Sequence, residues 1–243
     1  MLRVNHSNGF NVQARPKLLG ADFNGSSHFL TRGANLTGIA NGKQGTFSCW
    51  FRLDGSNGAL IYFLKTNSGG NQFEVRRNVA NTITVKGETG LEIATTATFT
   101  AAATWYHLLA SWDVATAGAR HLYISDVSDL NVVTFSDSTI SYEKDIAIGA
   151  TVAGANFFHG CMAELFFHTS YIDLSVTANR RKFITSNGRP ADMGPHATRP
   201  FGIKPIMYHS VRRGELAGTV FTLNRGSGGD FSGADPGTSS SNP

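Results

Sequence analysis

The amino-acid sequence predicts an all-β fold, an antiparallel sandwich of two sheets. Charged residues make up only 16% of the 243 residues, whereas there are 27 glycines and aromatic residues reach 11%; soluble domains average about a quarter charged residues. Apolar stretches are short and often alternate with polar residues, which is the pattern of half-buried strands. Turn residues separate these stretches at a spacing typical of sandwiches.

The first half of the chain contains an arm followed by short strands. Residues 1–20 are polar and irregular, which predicts an N-terminal arm outside the core. Residues 21–32 predict two short strands around Asn24-Gly25, because Asn-Gly tolerates the positive φ angles of tight hairpin turns. Alternation or β-branched residues predict the next strands, at 45–53, 59–65, 72–78 and 82–86.

The second half contains further strands and a single helix. Strands are predicted at 105–112, 120–125, 131–135, 145–149 and 157–168. The helix is predicted over residues 175–186. Asp173 or Ser175 can cap its first turn, and three cations at 180–182 complement its dipole. Gly188 is placed to end it.

One domain is predicted over residues 21–225, because no linker-like stretch divides it. After the helix, four prolines predict a Pro-rich segment over 188–210 that runs across the surface of the sandwich. The Gly/Ser-rich residues 226–243 predict a flexible tail.

Several motifs occur in an order that resembles a known family. They are Asp22-Phe23-Asn24-Gly25, Phe47-Ser48-Cys49-Trp50, Trp105-Tyr106-His107 with Trp112-Asp113, Leu122-Tyr123-Ile124-Ser125-Asp126 and the segment from Gly160 to Leu165. In this order they resemble a laminin-G-like (concanavalin A-like) jelly-roll domain. The resemblance implies a two-sheet antiparallel jelly roll with the Trp-Tyr-His strand in a central position. The chain departs from the family pattern where Val127, not glycine, follows Asp126.

The C-terminal part resembles a second group of proteins. Residues 171–194 and 221–231 look like an ending used by virion-associated proteins of tailed bacteriophages. This resemblance implies a role on a phage particle. The polar arm and the tail fit such a role, because disordered segments can become ordered when they bind a neighbouring subunit.

No motif of catalysis stands out. A glycosidase needs two carboxylates that flank the scissile bond, and no Glu-x-Asp-x-x-Glu pattern is present. Glu164 is a lone acid in an apolar strand. It is interpreted either as a catalytic carboxylate or, with more weight, as an exposed or hydrogen-bonded strand residue. The histidines lie in separate strands without metal-ligand spacing, so no catalytic residue is predicted.

Metal and redox chemistry receive little support. No cofactor is predicted, although calcium is a candidate ion because the resembled family often holds one at a sandwich edge. Turn acids that could contribute are Asp54, Asp113, Asp126, Asp137 and Asp145. These residues equally fit local backbone hydrogen bonds, and no ligand set is assigned. Cys49 and Cys161 are interpreted as buried free thiols, with a single disulfide left open.

Candidate glycan contacts are sought among loop residues. Trp50, Trp105 and Trp112 lie in apolar strands, so core packing is the preferred interpretation for them. Tyr142 and Tyr171 are aromatic residues in predicted loops, and Asn71 lies in a polar loop. These three residues are the candidate glycan contacts, although Tyr171 is also explained by packing under the helix.

The bulk charge argues against two classes of partner. The net charge is +4 and the basic residues are scattered, whereas a nucleic-acid binder usually concentrates them on one face. No apolar run is long enough to span a membrane, and the N-terminus lacks a secretory signal. Neither a nucleic-acid nor a membrane partner is therefore predicted.

Together these features predict a non-enzymatic bacteriophage virion protein, either a head decoration or head fibre or a tail appendage. It is expected to be made in a host cytoplasm and to reside in the virion. Its expected partners are other virion proteins and further copies of itself, with a host surface glycan as a candidate ligand. The alternative is a carbohydrate-binding receptor-recognition module. A glycan hydrolase on the same fold is a third, less favoured hypothesis.

Overall fold

The computed structural model describes residues 18–243 except 67–71, 88, 213, 235, 240 and 242. Strands dominate this part of the chain, and both helices are a single turn long. The elements are β1 (Leu18–Leu19), β2 (Ala21–Asn24), β3 (Phe29–Asn35), β4 (Gln44–Leu53), β5 (Ile61–Thr66), β6 (Phe73–Arg77), β7 (Ile83–Gly87), β8 (Leu91–Ala94), β9 (Tyr106–Asp113), β10 (Arg120–Ile124), β11 (Val127–Ser128), β12 (Asn131–Phe135), β13 (Asp145–Ile148), β14 (His159–His168), α1 (Thr177–Arg180), β15 (Met207–His209), β16 (Val211–Arg212), α2 (Ala217–Val220), β17 (Ser232–Ala234) and β18 (Gly237–Thr238).

Two antiparallel sheets face each other as a jelly-roll sandwich. Sheet I has the strand order β11-β10-β9-β4-β14-β2-β18, and β15 also pairs with β14. Sheet II has the order β12-β8-β7-β6-β5-β13-β3-β17. The short strands β1 and β16 form a separate pair. The predicted all-β sandwich is therefore confirmed. Among the described residues, no helix has the length and apolar composition needed to cross a membrane.

The main core lies between the two sheets. Along β4, Phe47, Cys49 and Phe51 point into this core, as their alternation predicts. Trp112 of β9 and Phe73 of β6 meet there with their ring centroids 5.4 Å apart. Burial of these large side chains supplies most of the driving force for folding. Cys49 and Cys161 are both buried free thiols, which confirms the preferred interpretation.

A second hydrophobic cluster lies on the outer face of sheet I. Residues 172–201, here called the covering segment, pack over this face. Leu109 and Phe166 of the sheet contact side chains of this segment, namely Ile172, Leu174, Phe183, Met193 and Ala197. Sheet I is therefore apolar on both faces, because it has a neighbour on each.

The helix predicted over residues 175–186 is wrong in length. The structure has only α1, and turns follow it. Phe183 and Ile184 are adjacent, yet each is buried in a different hydrophobic cluster of sheet I. A continuing helix would direct these neighbours about 100° apart, so the backbone leaves the helix to bury both. Asp173 accepts hydrogen bonds from Ser175, and neither residue caps the helix.

The hairpin predicted at residues 21–32 is wrong in its pairing. The two strands exist as β2 and β3, but β2 belongs to sheet I and β3 to sheet II. The Asn24-Gly25 turn therefore crosses between the sheets. Asn24 Oδ1 accepts hydrogen bonds from the backbone N–H groups of Ser26, Ser27 and His28, which holds this crossing in place.

The arm and the tail predicted for the two ends of the chain can be compared with the structure to different extents. Of the predicted arm, residues 1–17 lie outside the described residues, and Leu18–Leu19 pair with β16. Within residues 226–243, predicted to be a flexible tail, the structure contains two short strands. There β17 adds to β3 in sheet II and β18 adds to β2 in sheet I. Edge strands of this kind need few side-chain signals, since backbone hydrogen bonds form them.

Candidate functional site

A β-bulge in the middle of β14 creates the most unusual position in the sandwich. Ala163 pairs with Trp50 and Phe166 pairs with Ser48, so Glu164 and Leu165 stand opposite Cys49 alone. Glu164 adopts a φ of 50°, in the left-handed region that non-glycine residues enter at about 1–2 kcal/mol. The bulge also reverses the alternation of β14. Met162 and Leu165 therefore both face the main core.

Glu164 is buried, with 2% of its surface exposed. The hydroxyl group of Tyr208 on β15 donates a hydrogen bond of 2.6 Å to Glu164 Oε2. Glu164 Oε1 has no hydrogen-bond partner among the described residues. Burial raises the pKa of the Glu164 carboxyl, although the hydroxyl groups of Ser210 and Tyr208 act in the opposite direction. A carboxyl can take part in more hydrogen bonds than these neighbours use, so Glu164 keeps hydrogen-bonding capacity for a ligand.

A pocket of about 270 Å³ opens beside Glu164. We call it the Glu164 pocket. One wall comes from sheet I and its neighbours, through Glu164, Tyr208 and Arg212. The other wall comes from the covering segment and is formed by the side chains and backbone of residues 190–195 together with Arg199. The site thus combines apolar proline and methionine surfaces with a few polar groups, as small-molecule sites usually do.

The loop that forms the outer wall is held by local contacts. Met193 is buried in the cluster over sheet I. Asp192 accepts a hydrogen bond from the backbone N–H of Gly194 at 2.9 Å. It also forms an ion pair with Arg199 at 2.7 Å. Gly194 has a φ of 85°, which favours glycine there. These contacts fix the shape of the pocket without using Glu164 or Arg212.

A second pocket of about 300 Å³ lies on the other side of this wall. We call it the Lys182 pocket. Its lining is Arg181, Lys182, Thr185, Ala191, Asp192 and Arg199. The two pockets share Ala191, Asp192 and Arg199, so they are adjacent.

The predicted glycan contacts lie elsewhere. Tyr142 is fully buried, and its hydroxyl group accepts a hydrogen bond from Trp112 at 2.8 Å and donates one to the backbone of Gln44; as a surface contact it is wrong. Tyr171 is partly exposed and bonds to His121 Nε2 at 2.8 Å. Asn71 lies outside the described residues. The structure does not bring Tyr142 and Tyr171 to the Glu164 pocket.

Core packing, the preferred interpretation of the three tryptophans, is confirmed for Trp50 and Trp112. Trp112 lies in the main core. Trp50 is buried, and its ring stacks on His107 with centroids 4.8 Å apart. Trp105 is half-buried beside Arg52, whose guanidinium lies 5.9 Å from its ring centroid. None of the three lines the Glu164 pocket or the Lys182 pocket.

The turn acids considered for calcium are held by separate partners. Asp54 pairs with Arg52, Asp137 with Lys43 and Asp126 with two arginines. Asp113 bonds to Gln44 and the following turn, and Asp145 bonds to the backbone of Gly33. Each acid therefore has a partner of its own, and Asp113 makes the local backbone hydrogen bond that the alternative interpretation expects.

One group of possible ligands does come together. Carboxylate oxygens of Asp22 and Asp54 and the Cys161 sulfur lie within 4.8 Å of one another. The Arg52 guanidinium already contacts Asp54 at 2.8 Å and the Cys161 sulfur at 3.2 Å. Burial raises the pKa of the Cys161 thiol to about 11, whereas calcium prefers oxygen ligands. These residues do not fit a calcium ion.

Sequence reasoning identified only part of the Glu164 pocket. It singled out Glu164 as a lone acid in an apolar strand, and that departure from the apolar pattern was the available signal. It missed Arg199 and Tyr208, which come from the segment 188–210 interpreted as surface, and Arg212, which follows that segment. Nothing in the spacing of these residues indicates that they meet.

Comparisons with known proteins place this geometry in context. A sequence profile described as the concanavalin A-like lectin/glucanases superfamily matches residues 14–172. No curated protein sequence matches the chain. The match ends before residues 190–212, so much of the Glu164 pocket comes from outside the matched region.

Solved structures are similar at the level of the fold. A candidate carbohydrate-binding protein from Bacteroides ovatus ATCC 8483 matches with a TM-score of 0.60 and 14% identity, covering 92% of this chain and 59% of that protein. A heptameric SAP-like pentraxin from Limulus polyphemus has a TM-score of 0.48 and 13% identity, with 64% and 78% of the chains covered. Domains LG4-5 of the mouse laminin α1 chain have a TM-score of 0.43 and 16% identity, with 65% and 43% covered. The chain thus spans about three fifths of the length of the Bacteroides protein.

Proposed function

Since the chain belongs to the concanavalin A-like lectin/glucanases superfamily, we propose that it is a carbohydrate-binding domain that does not catalyse a reaction. We place the sugar in the Glu164 pocket. The observation that carries the proposal is the buried Glu164 carboxyl, which lines a pocket of about 270 Å³ and is held by the Tyr208 hydroxyl. This volume is near the small end of ligand pockets, which run to about 300–1,000 Å³, and suits one sugar unit.

The chemistry of the lining supports a sugar. A pyranose ring presents hydroxyl groups on its edge and C–H groups on its faces. Glu164 and Arg212 supply polar partners for the hydroxyl groups, while Pro190, Met193 and Pro195 supply apolar surface for a ring face. The Glu164 carboxyl is fixed by the bond from Tyr208. A fixed polar group loses little conformational freedom when it binds a ligand.

Binding is a better proposal than hydrolysis. Two acids line the pocket, but Asp192 is ion-paired with Arg199 at 2.7 Å and helps to shape the loop. Glu164 remains as an acid without a second free carboxylate, whereas hydrolysis of a glycosidic bond generally needs a pair. We therefore propose that Glu164 positions the ligand.

The first experiment compares two matched substitutions, each of which removes a tyrosine hydroxyl. Tyr208→Phe removes the bond that fixes Glu164, and Tyr171→Phe removes the hydroxyl of the candidate contact identified from the sequence. Glycans that bind the wild type on an array are titrated by calorimetry against both variants. We expect Tyr208→Phe to weaken binding by about tenfold, the equivalent of ~1.4 kcal/mol, and Tyr171→Phe to bind as the wild type does.

Each outcome of this comparison has a clear meaning. Thermal melting of both variants shows whether the fold is intact. Loss of binding in Tyr171→Phe with retention in Tyr208→Phe would move the site to Tyr171. The absence of any bound glycan at high wild-type concentration would contradict carbohydrate binding altogether.

A location on a bacteriophage particle stays a second proposal. Its support is the resemblance of residues 171–194 and 221–231, which the structure places on the sandwich, with parts of residues 171–194 in the covering segment and Phe221 and Phe231 in the main core. In this proposal the chain is a head decoration, head fibre or tail appendage, contacts further copies of itself and other virion proteins, and carries the sugar site outward. Immunogold labelling of particles with an antibody against the chain tests it, and unlabelled particles would contradict it.

A further inference from the structure

Cationic side chains outnumber acidic ones in the linings of the two adjacent pockets. Four cations line them, namely Arg181, Lys182, Arg199 and Arg212. The acids in the same linings are Glu164 and Asp192. A cleft concentrates the electric field of the charged side chains that line it. Side chains whose charge no ion pair neutralises therefore influence whether an anionic or a cationic ligand binds.

The two acids neutralise little of this charge. Asp192 is committed to Arg199 at 2.7 Å. Burial raises the pKa of the Glu164 carboxyl, so it keeps its proton to higher pH than an exposed carboxyl does. A protonated Glu164 donates a hydrogen bond and does not repel an anion.

The remaining cations have incomplete compensation. Arg181 shares the carboxylate of Asp126 with Arg180, so two guanidinium groups meet one acid. Arg181 Nη1 has no hydrogen-bond partner among the described residues. Lys182 Nζ donates to the carbonyl oxygen of Pro200 at 3.1 Å, which leaves its charge unneutralised by that contact.

Arg212 is the cation of the Glu164 pocket that Asp192 does not engage. Glu215, three residues further along, accepts a hydrogen bond from the backbone N–H of Arg212. Both carboxylate oxygens of Glu215 bind the guanidinium of Arg225 at 2.8 Å. The neighbouring acid is thus occupied by a different arginine. Arg212 lines the pocket together with Glu164, a carboxyl whose pKa is raised by burial.

From these contacts we propose that the preferred ligand is an acidic sugar, whose carboxylate or sulfate group pairs with Arg212 in the Glu164 pocket. In an acidic oligosaccharide, the next acid group reaches Lys182 and Arg181 in the adjacent Lys182 pocket. This inference rests on the proposed carbohydrate-binding function and specifies its substrate class. Guanidinium groups suit such ligands because they bind oxyanions through paired, charge-assisted hydrogen bonds.

The test measures affinity for matched neutral and acidic sugars by calorimetry at low salt. The probes are galactose, galacturonate, galactose 6-sulfate, trigalacturonate and sulfate ion alone. We expect galacturonate or galactose 6-sulfate to bind about tenfold more tightly than galactose, and this preference to shrink as salt screens the charges. The comparison of these two acidic sugars identifies which acid group is the natural partner.

Three substitutions locate the effect. Arg212→Gln is expected to lower the affinity for the acidic monosaccharide about tenfold more than it lowers the affinity for galactose, so that the preference for the acidic sugar is lost. Lys182→Gln is expected to weaken trigalacturonate but not galacturonate. The control is Lys144→Gln, which removes an exposed charge that lines neither pocket. We expect this variant to bind every probe as the wild type does.

The outcomes separate this inference from the proposed function. Equal affinity for galactose and galacturonate would overturn the acidic-sugar inference and leave carbohydrate binding in place. Binding of no sugar at all would overturn the proposed function. Binding of sulfate ion as tightly as galactose 6-sulfate would also overturn the inference, because the site would then recognise an anion without a sugar.

Discussion

Glu164 combines two unfavourable features at one residue. Its backbone has a φ of 50°, and its carboxyl is removed from water with one oxygen unpartnered. Either feature alone costs about 1–3 kcal/mol. Strained backbone conformations cluster at functional sites, and this is why Glu164 anchors the proposed site.

The state of the Glu164 carboxyl gives a prediction on pH and stability. Its pKa is raised in the folded protein, so its contribution to stability is present below the unfolded pKa and is lost as pH rises through the folded pKa. Glu164→Gln copies the neutral acid and cannot ionise. We expect the melting temperature of this variant, relative to the wild type, to increase as pH rises from the ordinary pKa of glutamate, about 4.3, into the alkaline range.

The control for this prediction is Glu143→Gln, which changes an exposed acid. Differential scanning calorimetry of the three proteins across that pH range gives the comparison. If the difference in melting temperature between Glu164→Gln and the wild type stays constant with pH, the Glu164 carboxyl has the same pKa in the folded and the unfolded chain. That result would contradict the prediction.

At the scale of elements, the turn between β10 and β11 lies at Ser125-Asp126, so Val127, where the sequence departs from the family pattern, is already a residue of β11 and needs no positive φ. Ile124 pairs with Val127, so Ser125 and Asp126 form a two-residue hairpin turn. Their φ angles are 49° and 73°, which is the combination that usually selects glycine. The Asp126 carboxylate accepts contacts from Arg180 at 2.6 Å and Arg181 at 2.7 Å. Aspartate here joins the turn to the covering segment, which glycine could not do.

Two substitutions separate the backbone role of Asp126 from its charge. Asp126→Asn keeps a residue that tolerates positive φ but loses the ion pairs, which we expect to reduce the free energy of unfolding by about 1 kcal/mol. Asp126→Ala loses the pairs and also strains the turn, for a total of about 2 kcal/mol. Urea denaturation of both variants is the measurement. Equal losses in the two variants would contradict a strained turn.

At the scale of the whole molecule, the covering segment makes sheet I an internal layer. The family match ends at residue 172, yet Leu109 and Phe166 on the outer face of sheet I are buried by residues that follow it. Exposed apolar surface of this kind leads to association. The covering segment is therefore part of the folded domain and also forms one wall of the Glu164 pocket.

Truncations test this role. We expect a chain that ends at residue 172 to aggregate when expressed, because the outer face of sheet I is uncovered and β15 is lost. A chain that ends at residue 231 lacks only β17 and β18. It is expected to stay soluble with a lower melting temperature. Size-exclusion chromatography and thermal melting distinguish the two. A monomeric, cooperatively folded chain ending at residue 172 would contradict the role of the covering segment.

The sequence by itself determined the fold class and most strand positions. Alternation along β4 puts Phe47, Cys49 and Phe51 on one face of the strand, and in the structure this face lies in the main core. The order of the aromatic and turn motifs indicated the family. Both signals are local or depend only on order along the chain, because a strand places successive side chains on opposite faces wherever it lies.

Only the tertiary structure decided the candidate site. Glu164 leaves the alternation because β14 must pair with β4 on one side and with both β2 and β15 on the other. Tyr208 and Arg212 line the same pocket as Glu164, although both are more than 40 residues from it in the sequence. The short α1 and the buried Tyr142 likewise follow from packing between distant elements. Such packing is set by the whole core, and no local pattern encodes it.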